Sequence, residues 1–321
     1  MFWTWFCFPF PWILYAIDPS KFSSWTQCIN QTVENYGNIG SLLAGLTAIA
    51  SVLLLYETLR EQQKSNQHNE FESRYFKLLE ANRKTADQMK WTAPDGNEYH
   101  GSQVFQIMLE LIENSYKTLT TRDLPSESPV PYLPWQGVSV EQKHFINIAY
   151  KVVFWGLDTR GKSILEKSDA NDLISSESIR MLDARMGTST TGIRLENGGF
   201  HAYTGHYFRM LYQSIRYVNE QDSLTYRQKY EYVKMLRAQL SNMETAVLFY
   251  DSLSDLGADW ELSWQGANSN INKQLITKYN LIGNLPDGMV PRKLVKKFYP
   301  NMKFSDEPMT EERCKLKKMY A

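Results

Sequence analysis

The segment IGSLLAGLTAIASVLLLY, residues Ile39–Tyr56, decides the architecture of this chain. It lies within a stretch, Asn35–Tyr56, that is 22 residues long and contains no charged side chain. A helix needs about 20 apolar residues to cross the ~30 Å hydrocarbon core of a bilayer. The stretch ends abruptly at Glu57. We therefore predict a transmembrane helix over residues 37–56, with a buried helix of a soluble core as the alternative.

A second apolar run precedes this segment. Residues 2–17 are uncharged and rich in Trp and Phe, but Pro9 and Pro11 interrupt them. We predict a short first span here. The alternatives are an aromatic anchor in the membrane interface and a cleaved signal peptide, although the run lacks the Lys or Arg of a signal-peptide n-region. Lys and Arg are abundant after the second apolar segment, so the positive-inside rule predicts that the larger domain is cytoplasmic.

The composition of the whole chain excludes several classes of protein. Among 321 residues, 43% are hydrophobic, and 35 Lys and Arg balance 35 Asp and Glu. Such a chain can bury a sizeable core, so extensive disorder is excluded, and zero net charge argues against a polybasic nucleic-acid binder. Its three cysteines are far apart and form no CxxC pair. We therefore expect no disulfide framework, no metal site and no cofactor.

The remainder of the chain shows helical rather than strand-like periodicity. The predicted helices are Arg60–Lys90, Ser102–Thr120, Val138–Leu157, Asp169–Met186, Thr204–Asn219 and Leu224–Leu253. Strand-like alternation is almost absent, and the fold class predicted is all-α with one or two N-terminal transmembrane helices. The predicted domains are a membrane anchor over 1–58, a helical cytoplasmic domain over 59–302 and a flexible tail over 303–321.

One group of polar residues lies on the last two predicted helices. His206, Arg209 and Gln213 are spaced i, i+3 and i+7, so they share one helix face. If the two helices form an antiparallel hairpin that turns near residues 221–222, His206 lies level with Arg237. Such a cluster could bind a phosphate, or cleave RNA by acid/base catalysis with the arginines offsetting the developing charge.

Two further residues, Asn242 and Glu244, lie one or two turns along the second helix and extend the candidate ligand-binding group. The alternative is structural, because Arg209 and Arg237 could pair with Glu244 or Glu231 and hold the helices in register. The sequence contains no GxxxxGK[ST], GxSxG, HExxH or GxGxxG motif. The RxxxxxH spacing of helical HEPN-type ribonucleases is not met either. Catalytic residues therefore stay unassigned, and we expect that the protein is not an enzyme.

Several segments together resemble the AbiC-like family of bacterial phage abortive infection proteins. They are Tyr36–Gly45, Leu59–Gln63, Phe71–Leu79, Gly205–Gln213, Lys229–Asn242, Leu248–Tyr250 and Leu275–Leu285. The resemblance covers roughly residues 36–300 and implies two N-terminal spans, a helical cytoplasmic domain and a role in phage defence, in which an infected cell stops growing or dies. It implies no catalytic residue. The short, proline-broken first run departs from the family pattern.

These observations favour a defence protein of the bacterial inner membrane that oligomerises and perturbs the membrane. Small residues at Gly40, Ala44 and Ala48 would allow the close helix approach that oligomerisation requires. The expected partners are membrane lipids, further copies of the chain, and a phage-derived trigger or RNA. A membrane-tethered HEPN-like ribonuclease and a nucleic-acid-sensing scaffold are the alternatives.

Overall fold

The computed structural model describes residues 19–93, 96–120, 140–168 and 198–320. Some expectations lie outside these residues: the first span (2–17), the helix over Asp169–Met186 and nearly all of the Gly- and Ser-rich loop after it. The chain divides into two compact units, Met1–Glu72 and Ser73–Ala321, which we call the N-terminal and C-terminal units.

Helices dominate the described residues, as the sequence predicts. They are α1 (Pro19–Asp87), α2 (Ser102–Thr120), α3 (Val140–Trp155), α4 (Thr159–Ser168), α5 (His201–Asn219), α6 (Tyr226–Gln239), α7 (Asn242–Leu253), α8 (Leu275–Tyr279), α9 (Arg292–Phe298) and α10 (Glu311–Tyr320). Short 3₁₀ turns occupy much of the segment between α7 and α8. The prediction of an all-α fold is confirmed, apart from one small hairpin.

The hairpin joins β1 (Lys90–Thr92) to β2 (Glu98–His100) in an antiparallel pair, with Trp91 opposite Tyr99. Each strand has three residues, which is too short for an alternating pattern to be visible in the sequence. The ring of Trp91 stacks on Phe200 with 4.9 Å between the ring centroids. The hairpin thus contributes an aromatic side chain to the core rather than a sheet.

The centre of the C-terminal unit is α7, which packs against α2 and α3. Every residue of α7 from Glu244 to Leu253 is buried. A helix that is apolar around most of its circumference has to be surrounded by protein or lipid, whereas an amphipathic helix needs only one covered face. Rows of apolar residues in the sequence predict that the hairpin of Thr204–Asn219 and Leu224–Leu253 is the centre of the core, and α7 is the second half of that predicted second helix. The helices α5 and α6 also contribute buried rows, but Met235 on α6 is 42% exposed.

A second correction concerns the helix predicted over Leu224–Leu253, which is two helices. Ser241 interrupts it, because its hydroxyl accepts a hydrogen bond from the Glu244 amide while the Glu244 carboxylate accepts one from the Ser241 amide. This reciprocal capping box ends one helix and starts the next. Asp222 and Ser223 precede the predicted helix over Leu224–Leu253, and the sequence predicts one of them as its cap. The cap of α6 is instead Thr225, which forms the same reciprocal arrangement with Gln228.

The C-terminal segment is not the flexible tail that the sequence suggests. Residues 311–320 form α10, in which Arg313 is 1% exposed and Tyr320 is 7% exposed. The Arg313 guanidinium donates to the carbonyl groups of Thr277 and Lys278 in α8. A buried, hydrogen-bonded arginine of this kind anchors the segment, because withdrawing it would leave those carbonyl groups unsatisfied.

Candidate functional site

The apolar stretch of α1 is the most unusual surface of the N-terminal unit. Its large side chains are exposed throughout, from 55% for Leu46 to 70% for Leu54. Among the described residues, α1 is the helix whose length and composition would allow it to cross a membrane, and none of its most apolar window is buried by protein. Within a single chain, the described residues thus form no soluble core around this window.

The polar side chains within this stretch are satisfied by their own helix. The hydroxyls of Ser41, Thr47 and Ser51 donate to carbonyl groups three or four residues earlier. An unpaired hydroxyl is costly in an apolar medium, and bonding back to the helix removes that cost. All three serine and threonine hydroxyls of residues 39–56 are therefore hydrogen-bonded within the helix.

The candidate residues on α5 and at the start of α7 lie at the surface. His206, Arg209 and Gln213 share the exposed face of α5, and Asn242 is exposed as the first residue of α7. Glu244 is only 3% exposed and is held in the Ser241 capping box. Burial raises the pKa of the Glu244 carboxyl above its usual value, against the opposing effect of the bonds to Ser241. Glu244 thus has a structural task at a helix start.

Arg237 points away from the α5 face. Its Nη1 donates to the carbonyl oxygen of Asn280 at 2.8 Å and to that of Tyr279 at 3.4 Å. Carbonyl groups at a helix C-terminus carry partial negative charge, so the end of α8 is a favourable place for a cation. In the described part of the chain, no hydrogen bond or salt bridge joins Arg237 to His206, and the predicted convergence of these residues stays a prediction.

Arg237 instead lines a cavity of ≈ 110 Å³ in the C-terminal unit. We call it the basic pocket. Its other lining residues are Tyr230, Asn280, Asn284, Lys303, Phe304, Ser305, Met309, Arg313 and Lys317. Four of the ten side chains are cationic and none is a carboxylate. A concave site with several convergent donors of one sign is suited to an anion.

The pocket wall is held together by Asn280, which ends α8 in the left-handed conformation with φ 55°. Asn tolerates this conformation better than most residues. Its side-chain amide donates to the Lys303 carbonyl at 2.7 Å and its oxygen accepts from the Lys303 amide at 2.9 Å. A Cβ atom on Gly283 would lie 2.0 Å from the Asn280 amide nitrogen, so glycine is required there. Ser305 completes the wall by donating to the Gly283 carbonyl.

A buried carboxyl lies on the other side of α8. Glu261 is 2% exposed and accepts hydrogen bonds from the backbone amide and the hydroxyl of Thr277. Burial raises the pKa of Glu261 to about 7, while the bonds from Thr277 and Gln265 and the charge of Arg313 oppose the rise. Lys278 is also buried, which lowers the pKa of its ammonium to about 8, with the neighbouring Lys229 adding to the effect.

Sequence reasoning identified Arg237 but missed Lys303, Arg313 and Lys317, because residues 303–321 were assigned to a tail. One signal was present: Arg313 and Lys317 are spaced i, i+4, so a helix places them on one face. Nothing local indicated which helix ends that face would meet. Only the packing of α10 against α8 brings these cations beside Arg237.

The basic segment of α9, unlike the basic pocket, has cations that pair with carboxylates. Arg292 pairs with Asp306 at 2.8 Å, and Lys296 pairs with Glu307 at 2.9 Å. These ion pairs offset two of the four cations of α9, a segment whose basic, amphipathic sequence predicts either a contact with anionic lipid or RNA or a solvated helix end. The cations of the basic pocket form no salt bridge within the described residues.

The fold and these two features define a class: a largely helical protein that has, among the described residues, one helix of membrane-spanning length and a cation-lined pocket in its C-terminal unit. Residues 200–290, which run from the start of α5 to just before α9, match the model of a family described as "Putative phage abortive infection protein". The resemblance seen in the sequence is confirmed over these residues, and it indicates a role in anti-phage defence. No curated protein and no solved structure matches the chain.

Proposed function

We propose that this protein protects bacteria against phage by abortive infection and that it acts from the inner membrane. The observation that carries the proposal is that one chain combines the family match over residues 200–290 with an unburied apolar helix. In this proposal α1 is the anchor and the C-terminal unit lies in the cytoplasm.

The dimensions and charges of α1 support a spanning orientation. Its charge-free stretch of 22 residues would be about 33 Å long at 1.5 Å per residue, close to the ~30 Å of a hydrocarbon core. Lys21 is the only basic residue before the stretch, whereas Arg60 and Lys64 follow it closely. The positive-inside rule then places the residues after Tyr56 in the cytoplasm.

Self-association through the small residues of α1 would explain how an anchor can damage a cell. Gly40 and Gly45 have no other atoms within 4 Å of the position where a Cβ would stand. Small residues let helix backbones approach closely in a membrane, where packing rather than the hydrophobic effect drives association. We propose that infection promotes this association and that the assembled helices increase membrane permeability.

The anchor is tested with paired substitutions in the apolar stretch. Leu46→Arg/Leu53→Arg should prevent insertion, because each arginine costs about 2.5–3.5 kcal/mol at the centre of a spanning helix. The control, Leu46→Phe/Leu53→Phe, keeps the stretch apolar. Wild type and control should float with membranes and protect cells in a plaque assay, whereas the arginine variant should do neither. A wild-type protein found in the soluble fraction would refute the anchor.

The damaging step is tested by following membrane potential through infection. Gly45→Phe should reduce self-association and preserve the potential, because it fills the small-residue face. Leu46→Phe adds a ring of the same size about 100° further around the helix and should leave both properties unchanged. If wild-type cells keep their potential during a confirmed defence response, the permeability mechanism is wrong, while the defence role stands.

A further inference from the structure

We propose that the basic pocket binds the phosphoryl group of a small phosphorylated ligand, of which nucleoside phosphates and free phosphate are the simplest sources. This inference goes beyond phage defence and does not depend on it, because it concerns a property that the purified protein either has or lacks. It rests on the charges, the donors and the size of the pocket.

The charge argument is that the pocket concentrates cations without countercharges. Arg237, Lys303, Arg313 and Lys317 line it, and none of them forms a salt bridge among the residues that the structure describes. Elsewhere in the same segment, Arg292 and Lys296 are paired with carboxylates. Two acidic groups interact electrostatically with these cations: Asp306 acts on Lys303 but pairs with Arg292, and Glu261 acts on Arg313 but is hydrogen-bonded to Thr277. Bringing uncompensated like charges together is unfavourable, and a phosphoryl group would relieve it.

The donor argument concerns the two arginines. The Nε of Arg237 is buried and has no hydrogen-bond partner among the described residues. A buried unsatisfied donor costs free energy that an acceptor would recover. Backbone carbonyl groups hold both guanidinium groups: those of Tyr279 and Asn280 hold Arg237, and those of Thr277 and Lys278 hold Arg313. Arginines fixed in this way lose little freedom on binding, and planar guanidinium groups suit phosphate oxygens.

The size argument limits the ligand to a small molecule. A cavity of ≈ 110 Å³ far exceeds the ~10–15 Å³ that one water molecule requires on the same scale. It is nevertheless too confined for a nucleic-acid duplex, which presents its phosphates on a wide convex surface. Asn284 and Ser305 add neutral hydrogen-bonding groups, and Tyr230 and Met309 add apolar surface for an organic group.

The experiment is calorimetric titration of the full chain in detergent with inorganic phosphate, AMP and ADP, with a short single-stranded RNA as a further probe. The test variant is Lys303→Gln/Lys317→Gln, since among the described residues neither ammonium forms a hydrogen bond. The Lys317 ammonium lies 5.4 Å from the centroid of the Tyr230 ring, a contact whose loss should change stability little. The control is Lys293→Gln/Lys318→Gln, which removes the same charge from exposed residues outside the pocket. Thermal unfolding without ligand confirms that all three proteins are folded.

We expect at least one of the small phosphates to bind wild type and control equally, and the test variant about tenfold or more weakly, since each charge-assisted contact contributes roughly a factor of ten. At about a hundred times Kd, the ligand should raise the wild-type Tm by about 5–10 °C. Tighter binding of AMP or ADP than of phosphate identifies a nucleotide, and the reverse identifies the free ion.

Three results would overturn the proposal. They are no binding of any small phosphate by the folded wild type at millimolar concentration, equal affinity of the test variant and the wild type, and binding of the RNA alone. The last result would assign the pocket to a nucleic acid. None of these results is measured by a plaque assay. If no small phosphate binds, the proposal of phage defence is unaffected, and if the protein gives no phage protection, the proposal of phosphate binding is unaffected.

Discussion

Two helical regions of this protein have opposite surroundings. Residues 39–56 of α1 contain no charged side chain, and residues 244–253 of α7 are mainly apolar but include Glu244 and Asp251. In α7 every one of those residues is buried by α2, α3 and their neighbours, whereas in α1 the most apolar window is wholly unburied. An apolar helix must be removed from water. Protein does this for α7, and we propose that lipid does it for α1.

The difference in burial between α7 and α1 predicts that truncating a leucine changes the free energy of unfolding in α7 but not in α1. Leu248 in α7 is 0% exposed, and Leu53 in α1 is 60% exposed. Leu248→Ala should lower the free energy of unfolding by about 2–5 kcal/mol through lost burial and the cavity left behind. Leu53→Ala should change it by less than about 0.5 kcal/mol. Denaturant unfolding of the full chain in detergent, followed by tryptophan fluorescence, measures both, and a similar loss for both variants would contradict the assignment of α1.

A second test uses the ionisable group that α7 buries and the apolar stretch of α1 lacks. Asp251 accepts hydrogen bonds from the Tyr150 hydroxyl and the Trp260 indole, and burial raises its pKa to about 6. The native state therefore binds a proton more tightly than the unfolded state. The contribution of Asp251 to stability should fall by about 3 kcal/mol as pH rises from about 4 to about 6 and should then level off.

Asp251→Asn isolates this effect, because it removes the carboxyl but can keep both hydrogen bonds if the Tyr150 hydroxyl acts as acceptor. The difference in unfolding free energy between wild type and variant should shift against the wild type over that pH range. Glu261, whose raised pKa acts in the same direction, is present in both proteins and cancels. A difference independent of pH would show that Asp251 does not titrate in this range.

Serine hydroxyls in α7 and α1 are expected to contribute differently to stability, by a smaller amount than the leucines. Ser241 caps α7 and is the reason that α6 and α7 are separate helices, so Ser241→Ala should cost about 1 kcal/mol. Ser41 in α1 only bonds back to its own helix, and Ser41→Ala should have no measurable effect on unfolding. Thermal unfolding of the two variants side by side tests this, and a Tm for Ser241→Ala that matches the wild type would argue against the capping box.

The smallest stability effect is expected at the exposed face of α5. His206→Ala removes a surface side chain and should change the unfolding free energy by less than about 0.5 kcal/mol. If His206 acts in a site, the variant should lose phage protection at normal protein levels, and RNA that wild-type cells degrade on infection should stay intact. Arg237→Ala should reduce both protection and stability, because Arg237 also holds the end of α8. Full protection by both variants at normal abundance would remove them from any site that phage defence requires.

The pattern of apolar and polar residues along the sequence was enough to locate most of the described helices. The charge-free run predicted the apolar part of α1, and regular helical spacing predicted α2, α3 and α5 with boundaries close to those observed. The helical spacing was misleading between residues 224 and 253. Apolar residues continue across Ser241 at that spacing, but the capping box of Ser241 divides the segment into two helices. Periodicity reports which residues can share a face, but a cap depends on two or three hydrogen bonds that a hydrophobic pattern does not register.

In the candidate site, too, the sequence predicts some features and only the tertiary structure shows the others. The order of residues along the chain is enough to predict that α1 has an apolar stretch, that α5 carries a row of polar residues and that Arg237 lies on a later helix. It is not enough to predict which residues surround Arg237. They come from Asn280, some forty residues later, and from Lys303, Arg313 and Lys317, which converge only because α10 packs on α8 and Asn280 ties Lys303 to the turn. Periodicity acts between neighbours within a helix, whereas a pocket depends on contacts between distant segments, and those are chosen by the packing of the whole unit.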